Sequence, residues 1–375
     1  MTVIHVHFAE DFLTWCLQRS RSNPHLVLKR EVPQFFERMQ FELTNAMELR
    51  AKVIDPVILA NAVPSRSGLN SIFAGLSWLA RAYRDGQWID STSRNHEAGL
   101  CVTACTLARL GEFPSEYIPP QLQEQIKIAL DRLEATATAG SGWSRWPCGE
   151  ADAFTTAWAI LALRCHRRVV PRAAIEFLLR CREPNGGFTT RPEHAGSNGS
   201  RNAEPASAEI TATALRALSM CDRAGGDFVI AQLRNDISST PAGKSSRFYV
   251  CSEILDWESG LAPWPLLNLV SQSAIQFDLG KPYEQALLLR ILSRLRNQRA
   301  WLAAASLQKM QLPDGFWASS SGTAQESSNG AAGPIAPPPA EPGVLCTVTA
   351  LSALVMHECG PDCSYSSTRK QRSLF

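Results

Sequence analysis

Apolar residues recur along the chain at three- and four-residue spacing, the period of one helix face. Four segments carry the pattern in closely related form: VTACTLARL (102–110), TTAWAILAL (155–163), ITATALRAL (210–218) and TVTALSALV (347–355). Thr103, Thr156, Thr211 and Thr347 are each followed by Ala or Val, then by an apolar residue four positions on and Leu seven positions on. The small residues beside this stripe permit close helix–helix approach. The first three copies lie 53 and 55 residues apart, and the fourth follows after 136, a gap long enough to hold diverged copies.

A turn precedes each of these helices. It reads RDGQW (84–88), GSGW (140–143), PNGGF (184–188) and PDGFW (313–317). Pro, Asp, Asn and Gly are turn formers, and the closing aromatic can lie over the end of the helix before it. Upstream come amphipathic helices: GLNSIFAGLSWLARAY (68–83), LQEQIKIALDRLEA (122–135), AAIEFLLRC (173–181) and AWLAAASLQKM (300–310). One unit is therefore helix, Gly–aromatic turn, helix. Such a unit cannot bury its apolar face alone, so units stack, either as an open solenoid or as a closed ring. Further helices are predicted over 34–52, 263–278 and 282–297, and no clear alternation marks a strand, so the chain reads as all-α.

Polar segments set the organisation. Residues 189–206 form a Gly/Asn-rich loop, and 318–343 are low-complexity and predicted disordered. The division expected is a helical extension over 1–64 packing on a repeat domain at 65–358, which carries the 318–343 insert, then a flexible basic tail at 359–375.

Composition narrows the classes. At 45% hydrophobic and 19% charged the chain is ordinary for a soluble protein, and a net charge of +2 offers no field for nucleic acid. No apolar run is long enough for a membrane span. The opening MTVIHVHFAEDF lacks the basic start and unbroken apolar core of a signal peptide. Eleven cysteines, an odd number without framework spacing, read as free thiols in a reduced cytoplasm.

The repeat resembles the α/α-toroids of terpene cyclases and protein prenyltransferase β subunits. The cyclase QW motif is matched by FLLRCREPNGGF (177–188) with Arg182 at the Gln position. It is matched again by SLQKMQLPDGFW (306–317), with Gln311 intact and Ser306 at the aromatic position, and by WLARAYRDGQW (78–88) with Tyr83 for Gln. The resemblance spans residues 65–357 and implies a single (α/α) toroid.

What it implies about chemistry centres on GEADAFTTAWAILAL (149–163). Class II cyclases protonate an alkene or epoxide with the middle Asp of a DxDD or DxDTT run. Here the run reads Asp152-Ala153-Phe154-Thr155-Thr156, with Phe154 where the acid belongs. Asp152, assisted by Glu150, is the acid that remains; as a plain helix feature it is an N-cap. No Asp-Asp pair exists to hold Mg²⁺ for allylic ionisation. A prenyltransferase-like zinc site lacks its Asp, with Tyr249 in that place and Cys346 in place of His, so Cys251 and Cys346 read as core thiols and no metal or other cofactor is expected. His166 closes its helix, a favourable place for a solvated cation.

A cyclase lumen stabilises cations on aromatic faces. Phe154, Thr155, Trp158, Trp146, Trp257 and Trp264 are the candidate substrate-binding residues, whereas Trp88, Trp143, Phe188 and Trp317 are expected to brace helices. The expected function is protonation-initiated cyclisation of an isoprenoid with a degenerate acid motif. The alternatives are a non-catalytic toroid that binds a hydrophobic ligand or a partner protein, and a toroid enzyme of another chemistry such as glycan cleavage. The expected partners are an isoprenoid or other hydrophobic small molecule, and a protein that supplies a second domain.

Overall fold

Whether a helix of this chain lies inside or outside follows from how far its apolar surface wraps around it. The computed structural model describes residues 67–90, 99–137, 142–145, 149–192, 205–219, 223–235, 241–256, 281–295, 297, 299–319 and 343–359. The chain divides into two compact units, Met1–Val63 and Pro64–Phe375, and the first lies outside the described residues. So do the predicted helices 34–52 and 263–278, the body of the 318–343 insert, and the tail beyond Cys359.

The described helices are α1 (Ser67–Ala82), α2 (Gly99–Leu110), α3 (Pro120–Ala135), α4 (Ala153–Cys165), α5 (Arg172–Arg180) and α6 (Ala208–Leu218). They continue with α7 (Arg223–Asn235), α8 (Pro241–Asp256), α9 (Pro282–Arg294), α10 (Ala300–Lys309) and α11 (Val344–Cys359). In α4 every residue from Thr155 to Leu163 is buried, and in α11 every residue from Cys346 to Met356. By contrast α3 buries only Leu122, Ile126, Ala129, Leu130 and Leu133, one face of the helix, and begins on Pro119-Pro120, which lose no hydrogen bond at a helix start.

The wrapped helices form the inner layer. Helix α2 packs on α4, α4 on α6, α6 on α8, α8 on α9, α9 on α11, and α11 returns to α2. Six helices thus close a ring. The outer layer follows the chain order: α3 lies on α2, α5 on α4, α7 on α6, α10 on α9 and α1 on α11. This is the (α/α) toroid expected from the repeat. Two inner helices, α8 and α9, fill the gap between the third and fourth Thr-Ala copies. Helix α8 is not legible as a repeat copy because it lacks the Thr-Ala pair, and α7 opens on Arg223-Ala224-Gly225-Gly226, which weakens its helix signal. Turn and helix start are in backbone contact: a Cβ at Gly186 in the PNGG turn would lie 2.3 Å from the Ala224 carbonyl carbon and 2.4 Å from the Gly225 nitrogen, and one at Gly225 would lie 3.0 Å from Leu215. Among the described residues the expected absence of strands meets a two-residue antiparallel ladder, with Tyr83 opposite Trp88 and Arg84 opposite Gln87, and two isolated bridges at Phe188. Among the described residues, no helix is long and apolar enough to cross a membrane.

The repeated Thr and the repeated aromatic are one device. The Oγ1 atoms of Thr103, Thr156, Thr211 and Thr347 accept from the backbone N–H of Trp88 (2.9 Å), Trp143 (3.0 Å), Phe188 (2.9 Å) and Trp317 (3.1 Å). Each indole then donates to a carbonyl near the end of the outer helix before it: Trp88 to Leu79 (3.0 Å), Trp143 to Leu133 (2.8 Å) and Trp317 to Leu307 (2.7 Å). The turn aromatic therefore ties an outer helix to the next inner one. Gly142, at φ 101°, is required in its turn, since a Cβ there would lie 2.5 Å from Thr156 Oγ1. Gln311 reinforces the last turn by donating to the Ser71 and Gly315 carbonyls, both at 2.9 Å.

Because the Trp143 N–H has no other acceptor in this device, Thr156→Val is expected to destabilise the protein by about 1–3 kcal/mol, the cost of a buried unsatisfied donor. Urea unfolding with an unchanged slope would register it; a midpoint equal to wild type would refute the brace.

Candidate functional site

The site is built on α4, whose start is fixed by Asp152. This residue is extended (φ −124°, ψ 150°) and 8% exposed. One carboxylate oxygen accepts from the Thr155 N–H at 2.8 Å, and the other accepts from the Arg145 N–H at 3.0 Å. Its own N–H donates to the Trp143 carbonyl at 3.0 Å, so the cap and the brace are joined. Glu150 takes a different partner. It lies at the surface, its side chain 74% exposed, and pairs with Arg191 at 2.5 Å.

Two residues past the cap, Phe154 points into the ring. It meets Tyr249 of α8 at 6.0 Å between ring centres, although α4 and α8 are not neighbours in the inner layer. Trp158, one turn further along α4, meets Phe154 edge-on at 6.5 Å. The guanidinium of Arg145 lies over the Phe154 ring at 5.9 Å. Beside them stand the α2 thiols. Burial pushes Cys101 up to about 11, with Arg145 opposing, and Cys105 up to about 12, with Arg109 opposing. Tyr249 Oη is 2.7 Å from Thr213 Oγ1, which is also 2.8 Å from the Glu209 carbonyl. The carbonyl only accepts, so the Thr213 proton goes to it and Tyr249 donates to Thr213. Burial pushes the hydroxyls of Tyr249 and Tyr283 well up, so both remain protonated. At this level the inside of the ring is aromatic, thiol and neutral hydroxyl.

Below Trp158 the character changes abruptly. Arg109 of α2 reaches across the ring to Glu253 and Asp256 of α8, the latter at 3.1 Å. Glu112, just past α2, accepts from Arg216 of α6 at 2.8 Å, Arg290 of α9 at 2.8 Å and Ser352 of α11 at 2.5 Å. Arg216 also pairs with Glu253 at 2.6 Å, and Asp256 with Arg290 and with Arg294 at 2.9 Å. Apart from Glu112 these residues lie in the second halves of their helices, and they join non-neighbouring members of the ring, so they form a charged floor across it. Arg109 and Arg290 are 1% and 0% exposed. The guanidinium carbons of Arg109 and Arg216 lie 5.0 and 5.9 Å from the Trp158 ring centre. Trp158 is thus the boundary between the aromatic and thiol level of the ring and the charged floor.

Of the predicted site residues, Asp152, Phe154, Thr155 and Trp158 come together at the head of α4, Glu150 stands at the surface, and Trp146, Trp257 and Trp264 lie outside the described residues. Cys251 and Cys346 are buried; burial raises both thiols, Cys251 to about 12 with Arg247 opposing. Among the described residues, no three His, Cys, Asp or Glu side chains cluster as metal ligands. His166 differs from expectation. It is not a solvated cation: its Nε2 sits 2.9 Å from the Leu107 carbonyl, and burial lowers its pKa despite that contact. The charged floor was missed in the sequence. Its signal was a lone Arg inside an apolar helix, as in TLARL, ALRAL and LLLRIL.

A closed ring of inner helices, each with an outer helix packed on it, defines the α/α-toroid class. No family model matches the chain. Over 116 residues, 30% of this chain, it is 31% identical to drimenyl diphosphate synthase of Streptomyces showdoensis, and the match spans only 21% of that protein's length. The apo type II terpene cyclase MstE from Scytonema superposes with a TM-score of 0.55 over 77% of this chain and 97% of its own, at 18% identity. A variant of MstE in complex with geranylgeranyl dihydroxybenzoate also gives 0.55, covering 78% of this chain and 97% of that one at 18% identity. The toroid is thus, more particularly, the fold of the type II terpene cyclases.

Proposed function

We propose that the protein folds a linear isoprenoid inside the toroid lumen and cyclises it by protonation, with Asp152 as proton donor and Phe154, Thr155 and Trp158 lining the substrate. One observation carries this reading: a buried carboxyl heads α4 directly above rings contributed by α4 and α8. An alkene is a very weak base, so its acid must be held in place and shielded from water. The cation formed then needs the negative faces of aromatic rings nearby. Glu150, out at the surface with Arg191, is suited to no more than returning protons from solvent. The partial identity to a drimenyl diphosphate synthase supports the same class of substrate.

A second reading has its own observation. Phe154 stands where the cyclase motif has its acid, and both Asp152 oxygens hold backbone donors, as those of a helix cap do. In this reading the lumen holds an isoprenoid without chemistry. Incubation with linear C10–C30 isoprenoids and their diphosphates, followed by gas chromatography–mass spectrometry, separates the two. Cyclic products from wild type, lost at least a hundredfold in Asp152→Asn as expected for a removed acid, support the first. Binding without products supports the second, and neither binding nor products overturns both.

A further inference from the structure

We infer that Glu209 of α6 is the base that ends the reaction, taking the last proton from the cyclised cation. This rests on the cyclase reading above and adds a second catalytic residue to Asp152. The inference comes from the register of the inner helices. Helix α6 repeats α4 position for position: Ser207 stands at the cap as Asp152 does, and Thr211 accepts from its turn aromatic as Thr156 does. Glu209 therefore holds on α6 the place that Phe154 holds on α4, two residues past the cap. Positions four and seven residues further on share its helix face. On α6 these are Thr213, which takes the Tyr249 hydroxyl, and Arg216, which pairs with Glu253 and Glu112 in the charged floor. Tyr249, Glu253 and Asp256 of α8 have the same spacing and meet partners across the ring. Glu209 thus heads the face of α6 that is turned toward the middle of the ring.

The first turn of that face is open and the second is closed. Cys101, Phe154, Glu209, Tyr283 and Leu345 head it on their inner helices, and each is only half-buried. One turn further on, Cys105, Trp158, Thr213, Glu253, Leu287 and Thr349 are all buried. Room for a ligand therefore lies at the head of the ring, above the Trp158 level, and Glu209 is the carboxylate among those five head residues. Its backbone carbonyl takes the Thr213 hydroxyl at 2.8 Å, while its carboxylate has no ion-pair partner among the described residues. Asp152 differs, being buried with both oxygens on backbone donors. A shielded carboxyl suits the acid that starts the reaction, and a half-exposed carboxylate suits a base that must pass its proton on to water. The step balances. The Asp152 proton adds to an alkene carbon, alkene electron pairs close the ring bonds, and the final cation gives a C–H proton to a Glu209 oxygen as that bond's electron pair becomes the product's double bond. Glu209 then releases the proton to water, from which Asp152 regains one, so the net reaction is an isomerisation.

The test compares the products that wild type, Glu209→Gln and Glu209→Asp form from the same linear C10–C30 isoprenoids and diphosphates, with substrate consumption measured alongside. A positioned base is worth about 10²- to 10⁴-fold in its proton transfer. Glu209→Gln is therefore expected to go on consuming substrate, but to lower the wild-type olefin at least roughly tenfold relative to olefins with a shifted double bond and alcohols in which water has captured the cation. Glu209→Asp, which keeps a carboxylate on a shorter arm, is expected to restore part of the wild-type olefin. An unchanged product pattern in Glu209→Gln overturns the inference and leaves the cyclase reading standing. Loss of all substrate consumption in both Glu209 variants also overturns it, since Glu209 would then act at the first step or in holding the fold. A wild type that forms no cyclic product from any chain length overturns the cyclase reading and the inference with it.

Discussion

Arg290→Met is expected to destabilise the protein by about 3–5 kcal/mol, the cost of stripping one partner from a buried ion network. Arg290 is fully buried on α9. Its guanidinium donates to Glu112 at 2.8 Å, to Ser252 at 3.2 Å, and to Asp256 and Ser352. Methionine matches much of the side-chain volume, so the loss is chiefly electrostatic: Glu112 and Asp256 remain buried with fewer cations beside them. Arg290→Lys keeps the charge but not the planar fork that reaches two carboxylates at once, and is expected to recover only part of the loss.

The same variant carries a pH signature whose sign is fixed by the carboxyls. Burial alone would raise Glu112, but Arg290 and Arg109 outweigh it and hold the group well below the usual carboxylate range; Asp256 is held down in the same way by Arg290, Arg294, Arg216 and Arg109 against its burial. A folded value below the unfolded one means stability that is complete above about pH 4, the ordinary carboxylate range. It drains away as pH falls from there toward the folded values, at about 1.4 kcal/mol per pH unit for each group. Wild type is therefore expected to lose urea resistance steeply below pH 4. Arg290→Met, which has already forfeited much of that depression, should lose it more slowly, so the gap between the two narrows in acid. A gap that stays constant from pH 7 to pH 3 would mean that Arg290 does not hold the carboxyls down.

Trp143→Ala is expected to cost about 3–5 kcal/mol, the range for deleting a large buried aromatic. The indole is 0% exposed, and its loss removes the packing between α3 and α4 together with the hydrogen bond to Leu133. Trp143→Phe isolates the second part. The ring stays but the donor is gone, and about 1 kcal/mol should be lost. Trp317→Phe should behave alike through Leu307. The two belong to separate turns, so the double variant should equal the sum of the singles within about 0.5 kcal/mol. Phe188, which has no indole donor, already shows that the turn can close without that bond, provided Thr211 accepts from its backbone. Thermal and urea unfolding measure these; a Trp143→Ala variant as stable as wild type would remove the brace from the account of the fold.

Much of this architecture could be read from residue patterns because its determinants are local. A Thr that accepts from a turn nitrogen, a glycine with positive φ and an aromatic closing the turn lie within about thirty residues of one another in each unit, and they recur. The difference between α4, apolar on every side, and α3, apolar on one, separates inner from outer helices without coordinates. What resisted was divergence. Helix α8 occupies an inner position with no Thr-Ala pair, and what places it there is its packing on neighbours on both sides.

The amino-acid sequence alone therefore determined the hairpin unit, the number of braces and the place of Asp152 as the cap of α4. Only the tertiary structure decided where the ring closes and what fills it. Arg109 and Glu253 are 144 positions apart and Glu112 and Arg290 178. No local rule pairs charges at such separations, because their attraction becomes decisive only when ring closure has removed the water between them. The same closure turned Phe154 toward Tyr249 and set Trp158 on two guanidinium groups, which gives the ring both its aromatic level and its charged floor.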